Sequence, residues 1–262
     1  MRLVFAICTA VATAFLALPV LAIFVRVPPG TLLGQLGEPA ARDALVVTLK
    51  TNLVAQALVL VVGTPAAYTL ATRRFRGRWV VLTLVELPLV LPPAVAGIGL
   101  FAAFGRTGLL PTSAAFTQTA VVLAVAFVAS PFYVRTAVAA FEGVDRTLVD
   151  AARTLGARPW RVFARVALPL AGAGLGAGAV LAFARGLGEF GATIMFAGSL
   201  QGVTQTLPLA VYAEFARDFD VALALGALLV AFSFSLLLAV KWIRLEAFAW
   251  MQPFRSASSS SA

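Results

Sequence analysis

Histidine is missing from this chain altogether, and cysteine occurs once, as Cys8. Without histidine the commonest general base and metal ligand is gone. A lone thiol in an apolar run excludes disulfide frameworks, zinc–thiolate sites and iron–sulfur clusters. Charge is scarce as well, at 12% of residues, where a soluble domain carries about 25%. No GxxxxGK[ST] loop is present, so any nucleotide hydrolysis belongs to another chain. What fills the space is apolar: 61% of 262 residues are hydrophobic, and mean hydropathy is +0.97. One modest water-soluble domain cannot bury so much apolar surface. Composition therefore specifies an all-α polytopic membrane protein.

Six apolar runs are long enough to cross a bilayer, which takes roughly 20 helical residues. They lie near Leu3–Val25, Leu45–Thr72, Trp79–Phe104, Gln118–Val138, Val166–Leu187 and Val221–Ile243. The third contains Glu86 and three prolines, with a kink expected at Pro92 and Pro93. Net charge is +9, and 18 of the 20 basic residues are arginine. With the N-terminus inside, Arg2, the cluster Arg73 to Arg78, the set Arg135 to Arg165, Lys241, Arg244 and Arg255 all fall on the cytoplasmic side. These are 14 of the 20 basic residues, so both termini are expected inside. This bias marks membrane topology and contact with lipid rather than nucleic-acid binding. Arg2, the first run and Val20-x-Ala22 also fit a cleavable leader, but the run continues to Val25, which favours a retained span. The expected organisation is one membrane domain over 1–248, containing a cytoplasmic loop at 139–169. A flexible Ser/Ala tail is expected over 249–262.

That loop carries the most informative spacing. Asp150-Ala151-Ala152 is followed by Gly156 and, after nine further residues, by Val166-Ala167-Leu168-Pro169. Read physically, this is a short amphipathic helix, a glycine stop, a second short helix, and a proline opening the next span. The product is a compact knob rimmed by Arg153, Arg158, Arg161 and Arg165. An amphipathic loop lying on anionic headgroups is the plain alternative. The spacing resembles the EAA motif of ATP-binding-cassette importer permeases, EAA-x3-G-x9-I-x-LP, with Asp150 in place of Glu and Val166 in place of Ile.

A second stretch, Gly188-Glu189-Phe190-Gly191-Ala192-Thr193 with Thr206-Leu207-Pro208-Leu209-Ala210-Val211-Tyr212, resembles the molybdate permeases of that family. Gly63-Thr64-Pro65-Ala66-Ala67-Tyr68 and Leu87-Pro88-Leu89-Val90-Leu91-Pro92-Pro93 are similar to the same group. The likeness runs from about Leu45 to Ile243. It implies a type I importer permease with six spans in the inner membrane, working as a homodimer. Two ATPase subunits would hold the ATP and Mg, this chain carrying no cofactor of its own, and an extracytoplasmic oxyanion-binding protein would deliver molybdate or tungstate. Asp150, Ala151, Ala152, Gly156, Leu168 and Pro169 would then couple the chain to the ATPase, and this chain would catalyse no reaction itself. Sulfate permeases carry a related GE[FY]G segment, so a sulfate or thiosulfate permease is one alternative. An ATP-independent secondary transporter is another.

Along the path, a dianion that must leave again suits hydroxyls and broken helices better than a deep cationic well. Ser130, Thr193, Pro92 and Pro93 are the candidate path elements, each equally readable as a kink satisfied by its neighbours. Arg185 and Glu189, four apart on one helix face, are read as an ion pair closing the span or as a gate that includes Glu189. Glu86 is expected against helix neighbours or a polar cavity. Gly172/Gly176 and Gly174/Gly178 form two small-xxx-small pairs, fit for packing within the chain or between subunits.

Overall fold

The computed structural model describes all residues except 29, 32, 33, 35, 36, 111, 112 and 252–262, and describes 236, 237 and 239–251 by backbone alone. Helices account for the regular structure among the described residues, with no strand. In chain order they are α1 (Arg2–Arg26), α2 (Pro39–Thr72), α3 (Arg78–Val90), α4 (Pro93–Phe104), α5 (Gln118–Glu142) and α6 (Arg146–Thr154). There follow α7 (Pro159–Val162), a π turn (Phe163–Ala167), α8 (Leu168–Leu187), α9 (Gly191–Ala197), α10 (Leu207–Phe215) and α11 (Phe219–Met251). Four stretches are long and apolar enough to span a membrane: α1, α2, α5 and Pro159–Leu187. The α3–α4 pair makes a fifth if it is one span, and α11 contributes the apolar segment Phe219–Ser235. The six runs in the sequence map onto these helices. The tail expected at 249–262 lies, beyond Met251, outside the described residues.

Two compact units are resolved by their contacts. The first comprises Met1–Leu49 and Gly198–Ser235; the second comprises Lys50–Ala197 and Leu236–Ala262. In the first, Ala41, Ala44, Leu207, Ala210 and Leu225 form a small core. The Thr48 hydroxyl accepts from the Leu207 backbone N–H at 2.8 Å, satisfying a donor at the start of α10. No described residue of α1 is buried.

The second unit is built around α5. Most of its alanines and valines from Ala120 to Val138 are buried, and small side chains let the neighbouring helices come close. α8 lies along α5 because Gly174 and Gly178 face it. A Cβ on Gly174 would stand 2.5 Å from the Ala140 Cβ, and one on Gly178 would stand 3.0 Å from the Thr136 Cβ. The other pair, Gly172 and Gly176, meets nothing within 4 Å. Amide side chains of α2 fasten the same helix: Asn52 donates to the Phe183 carbonyl at 3.1 Å and Gln56 to the Ala179 carbonyl at 2.9 Å. In hydrocarbon such bonds hold helices together at about 0.6 kcal/mol each.

The kink expected at Pro92 and Pro93 is a sharp break, with α3 and α4 meeting at 117°. Pro92 and Pro93 offer no N–H, and the residue before a proline is pushed out of the helical region, so Leu91 is extended (φ −65°, ψ 132°) and α3 ends there. The fifth span does not open at Val166 with Pro169 in its first turn. It begins at Pro159, and the chain passes through the π turn into α8 without a break. Proline cannot donate to the carbonyl four residues back, and its ring crowds that carbonyl. The wide turn just before it, where Leu168 N–H reaches back to Phe163, accommodates Pro169 within a continuous helix.

Candidate functional site

The loop after α5 folds as a knob in which each break has a local cause. Asp145 caps α6: its carboxylate accepts from the Thr147 backbone N–H at 2.9 Å, and this bond holds the carboxyl below its ordinary range. At the other end Gly156 has φ +80°. Its N–H bonds the Arg153 carbonyl at 2.9 Å, and the Ala157 N–H bonds the Ala152 carbonyl at 3.0 Å. This is a Schellman stop, which needs a left-handed residue and hence glycine. Asp150 pairs with Arg153 at 3.3 Å on the exposed face of α6. Ala151 and Gly156 are exposed and Ala152 is half-buried. Leu168 packs against the core of the second unit while Pro169 is exposed.

The knob is fastened to the spans by aromatic rings. Tyr68 of α2 meets Phe141 of α5 edge-on at 5.3 Å and Phe163 of the π turn at 4.8 Å, and Trp160 reaches Phe163 at 5.5 Å. Behind these rings Val162 is buried, while Leu155 and Trp160 point outward with 88% and 71% exposure. Between α6 and the ends of α2 and α5 lies a cavity of about 240 Å³, whose walls include Thr72, Glu142, Asp150 and Arg153. The knob thus presents outward apolar residues and exposed arginines, and ring contacts fasten it to α2 and α5.

The structure brings Arg185 and Glu189 together, though not on one helix face as expected: α8 ends at Leu187 and Glu189 lies beyond it, with Nη2 standing 2.7 Å from Oε2 and the Glu189 side chain 1% exposed. The other carboxylate oxygen, Oε1, accepts from the Ala192 N–H at 2.7 Å and so caps α9. Around it α4 and α9 cross almost backbone to backbone. A Cβ on Gly97 would meet the Ala192 carbonyl at 2.6 Å, and one on Gly191 would meet the Pro93 Cβ at 2.7 Å. Thr193 is fully buried, its hydroxyl shared between the carbonyls of Glu189 and Phe190 at 3.2 and 3.1 Å. Ser130 donates to the Phe127 carbonyl at 3.1 Å. In this conformation both hydroxyls are occupied by local carbonyls. Pro92 and Pro93 are exposed at the bend.

One pairing was missed in the sequence. Arg135, grouped there with the loop arginines, lies inside α5 with its Nε 3.1 Å from Glu86 Oε1 of α3. A second pair, Arg78 Nη2 to Glu142 Oε1 at 2.6 Å, joins the same two helices at their ends. The signal was present as spacing: Arg78 and Glu86 are eight apart, Arg135 and Glu142 seven, with signs reversed between antiparallel helices.

With this geometry in place, the relatives are informative. The family model described as "Binding-protein-dependent transport system inner membrane component" matches residues 60–245. A Mycobacterium bovis protein named molybdenum transport system permease protein ModB is 46% identical over 237 residues, covering 86% of this chain and 88% of the relative. A probable molybdenum ABC transporter permease protein from Haloferax volcanii is 44% identical over 205 residues, covering 77% and 73%. Escherichia coli K12 ModB is 42% identical over 178 residues, covering 65% and 78%. Among solved structures, an inward-facing MetNI methionine ABC transporter aligns with TM-score 0.60 at 20% identity, covering 78% of this chain and 92% of that one. A bacterial ABC transporter importing alginate aligns with TM-score 0.60 at 18% identity, covering 94% and 96%. At such identities these two establish the fold alone. The chain belongs to the binding-protein-dependent transport system inner membrane component family, the membrane subunits of ATP-binding-cassette importers.

Proposed function

We propose that this chain is the permease subunit of an ATP-driven importer for molybdate or tungstate. The observation that carries the substrate is the 46% identity, over most of both chains, to a permease named for molybdenum transport. In this reading two copies form the path, each a single membrane domain with both termini cytoplasmic. A binding protein delivers the oxyanion to the outer mouth. Two ATPase subunits bind ATP and Mg and receive the two knobs. Asp150, Ala151, Ala152 and Gly156 form the docking face, and Leu168 and Pro169 carry the motion into the fifth span. The Schellman stop and the Tyr68–Phe141–Phe163 rings support that role, because they make the knob stiff at both its free and its fastened end.

The test is ATP-driven accumulation of labelled molybdate in proteoliposomes holding this chain, its ATPase and its binding protein. Accumulation requires ATP and the binding protein and is competed by tungstate. In the same vesicles Gly156→Val costs about 1–2 kcal/mol of local backbone strain and lowers accumulation while the chain stays inserted. Accumulation without ATP, or of sulfate alone, overturns the proposal.

A further inference from the structure

Ionisable groups inside spans are expensive to hold and face a water-filled cavity or a partner rather than lipid. Two pairs in the second unit invite the comparison. Glu189 is enclosed: one oxygen takes Arg185, the other takes the Ala192 N–H, and the side chain has almost no exposure. The Arg135–Glu86 pair is open. Its approach is Nε to Oε1 at 3.1 Å, and its side chains are 57% and 44% exposed. By helix rise, Glu86 lies about 12 Å from the start of α3, and Arg135 lies about 10 Å from the end of α5. That end is already tied by Arg78 and Glu142, so the inner pair is not needed to hold the two helices together there.

Arg135 also lines a cavity of about 380 Å³, together with Leu89, Pro131, Phe132 and Leu181. A water takes about 30 Å³ of liquid, so the cavity has room for a tetrahedral oxyanion and several waters. Thr136 also lines it, the remaining walls are apolar, and Arg135 is the cation in them. A guanidinium presents five N–H donors in a planar fork matched to oxyanions, and the Nε contact leaves the two amino groups for such a ligand.

We propose that Arg135 is a transient contact for the translocated oxyanion, and that Glu86 is the counter-ion it holds between passages. The inference rests on the oxyanion-permease reading and adds the residue that meets the anion. A dianion arriving in the cavity takes the guanidinium amino groups, and Glu86 then competes for Arg135 and speeds release. The exchange answers the requirement that binding in a path be weak enough to let go. No bond is made or broken apart from these contacts.

The test uses the reconstituted complex with labelled molybdate and compares Arg135→Gln, Arg135→Lys and Glu86→Gln at equal complex content. Wild-type import establishes the oxyanion reading first, so its absence refutes that reading alone. Given wild-type import, Arg135→Gln lowers uptake about tenfold with ATPase activity and subunit assembly retained, and Arg135→Lys restores a third or more, because a cation is still present. Glu86→Gln leaves the anion held too long, so uptake falls about threefold, less than for Arg135→Gln. Equal losses in Arg135→Gln and Glu86→Gln, together with no rescue by lysine, mark a purely structural tie and overturn the inference. So does uptake at the wild-type rate in Arg135→Gln.

Discussion

Two Arg–Glu pairs in one compact unit differ sharply: one joins α3 to α5, and the other lies where α8 ends. Arg185–Glu189 is closed: the carboxylate is buried and both of its oxygens are engaged. Arg135–Glu86 is half-exposed, with Arg135 on the wall of a cavity. Partnering alone does not say what an intramembrane charge does. The burial of the pair does: an enclosed pair holds shape, and a half-exposed one can be reached by a ligand. The closed pair belongs to the tight crossing of α4 and α9, where Gly97 and Gly191 leave no room for a side chain.

The largest effect is expected from breaking the closed pair. Glu189→Gln leaves a partly buried Arg185 without its charge and costs about 3–5 kcal/mol, lowering the melting temperature of the purified chain by many degrees. Glu86→Gln, in the half-exposed pair, costs under about 1 kcal/mol in the same measurement. Equal shifts would erase the distinction. A smaller contrast of the same kind separates the two faces of α8. Gly174→Val drives a side chain into Ala140 and costs about 1–3 kcal/mol, whereas Gly176→Val enters open space and leaves the melting temperature of the single chain nearly unchanged. Both substitutions change helix propensity alike, so the difference isolates the contact. If Gly176→Val instead separates a purified dimer, that open face is the seam between two copies.

Much of this was legible before any coordinates. Hydropathy located the spans, because in a bilayer only a helix satisfies its own backbone. The DAA-x3-G spacing marked the knob, and Gly156 takes the left-handed conformation that its position asked for. The i,i+4 spacing of Arg185 and Glu189 anticipated their contact. Other features were hidden because they depend on partners distant in sequence. A double proline announces a break but not that the two halves would meet at 117°. The π turn absorbs Pro169 through a wide hydrogen bond that no residue pattern declares. Arg135 was counted among loop arginines because positive charge near a span end reads as topology. Only its packing against α3 reveals Glu86 opposite it. Thr193 and Ser130 read in the sequence either as path hydroxyls or as kinks satisfied by neighbours, and in this conformation each donates to a carbonyl within its own stretch of chain.

The most direct test of the account is labelled molybdate uptake in cells with and without this gene, measured alone and against excess tungstate or sulfate. The account predicts that deletion abolishes high-affinity uptake and that, in cells with the gene, tungstate competes while sulfate does not. Unchanged molybdate uptake with a deficit in sulfate uptake would contradict it.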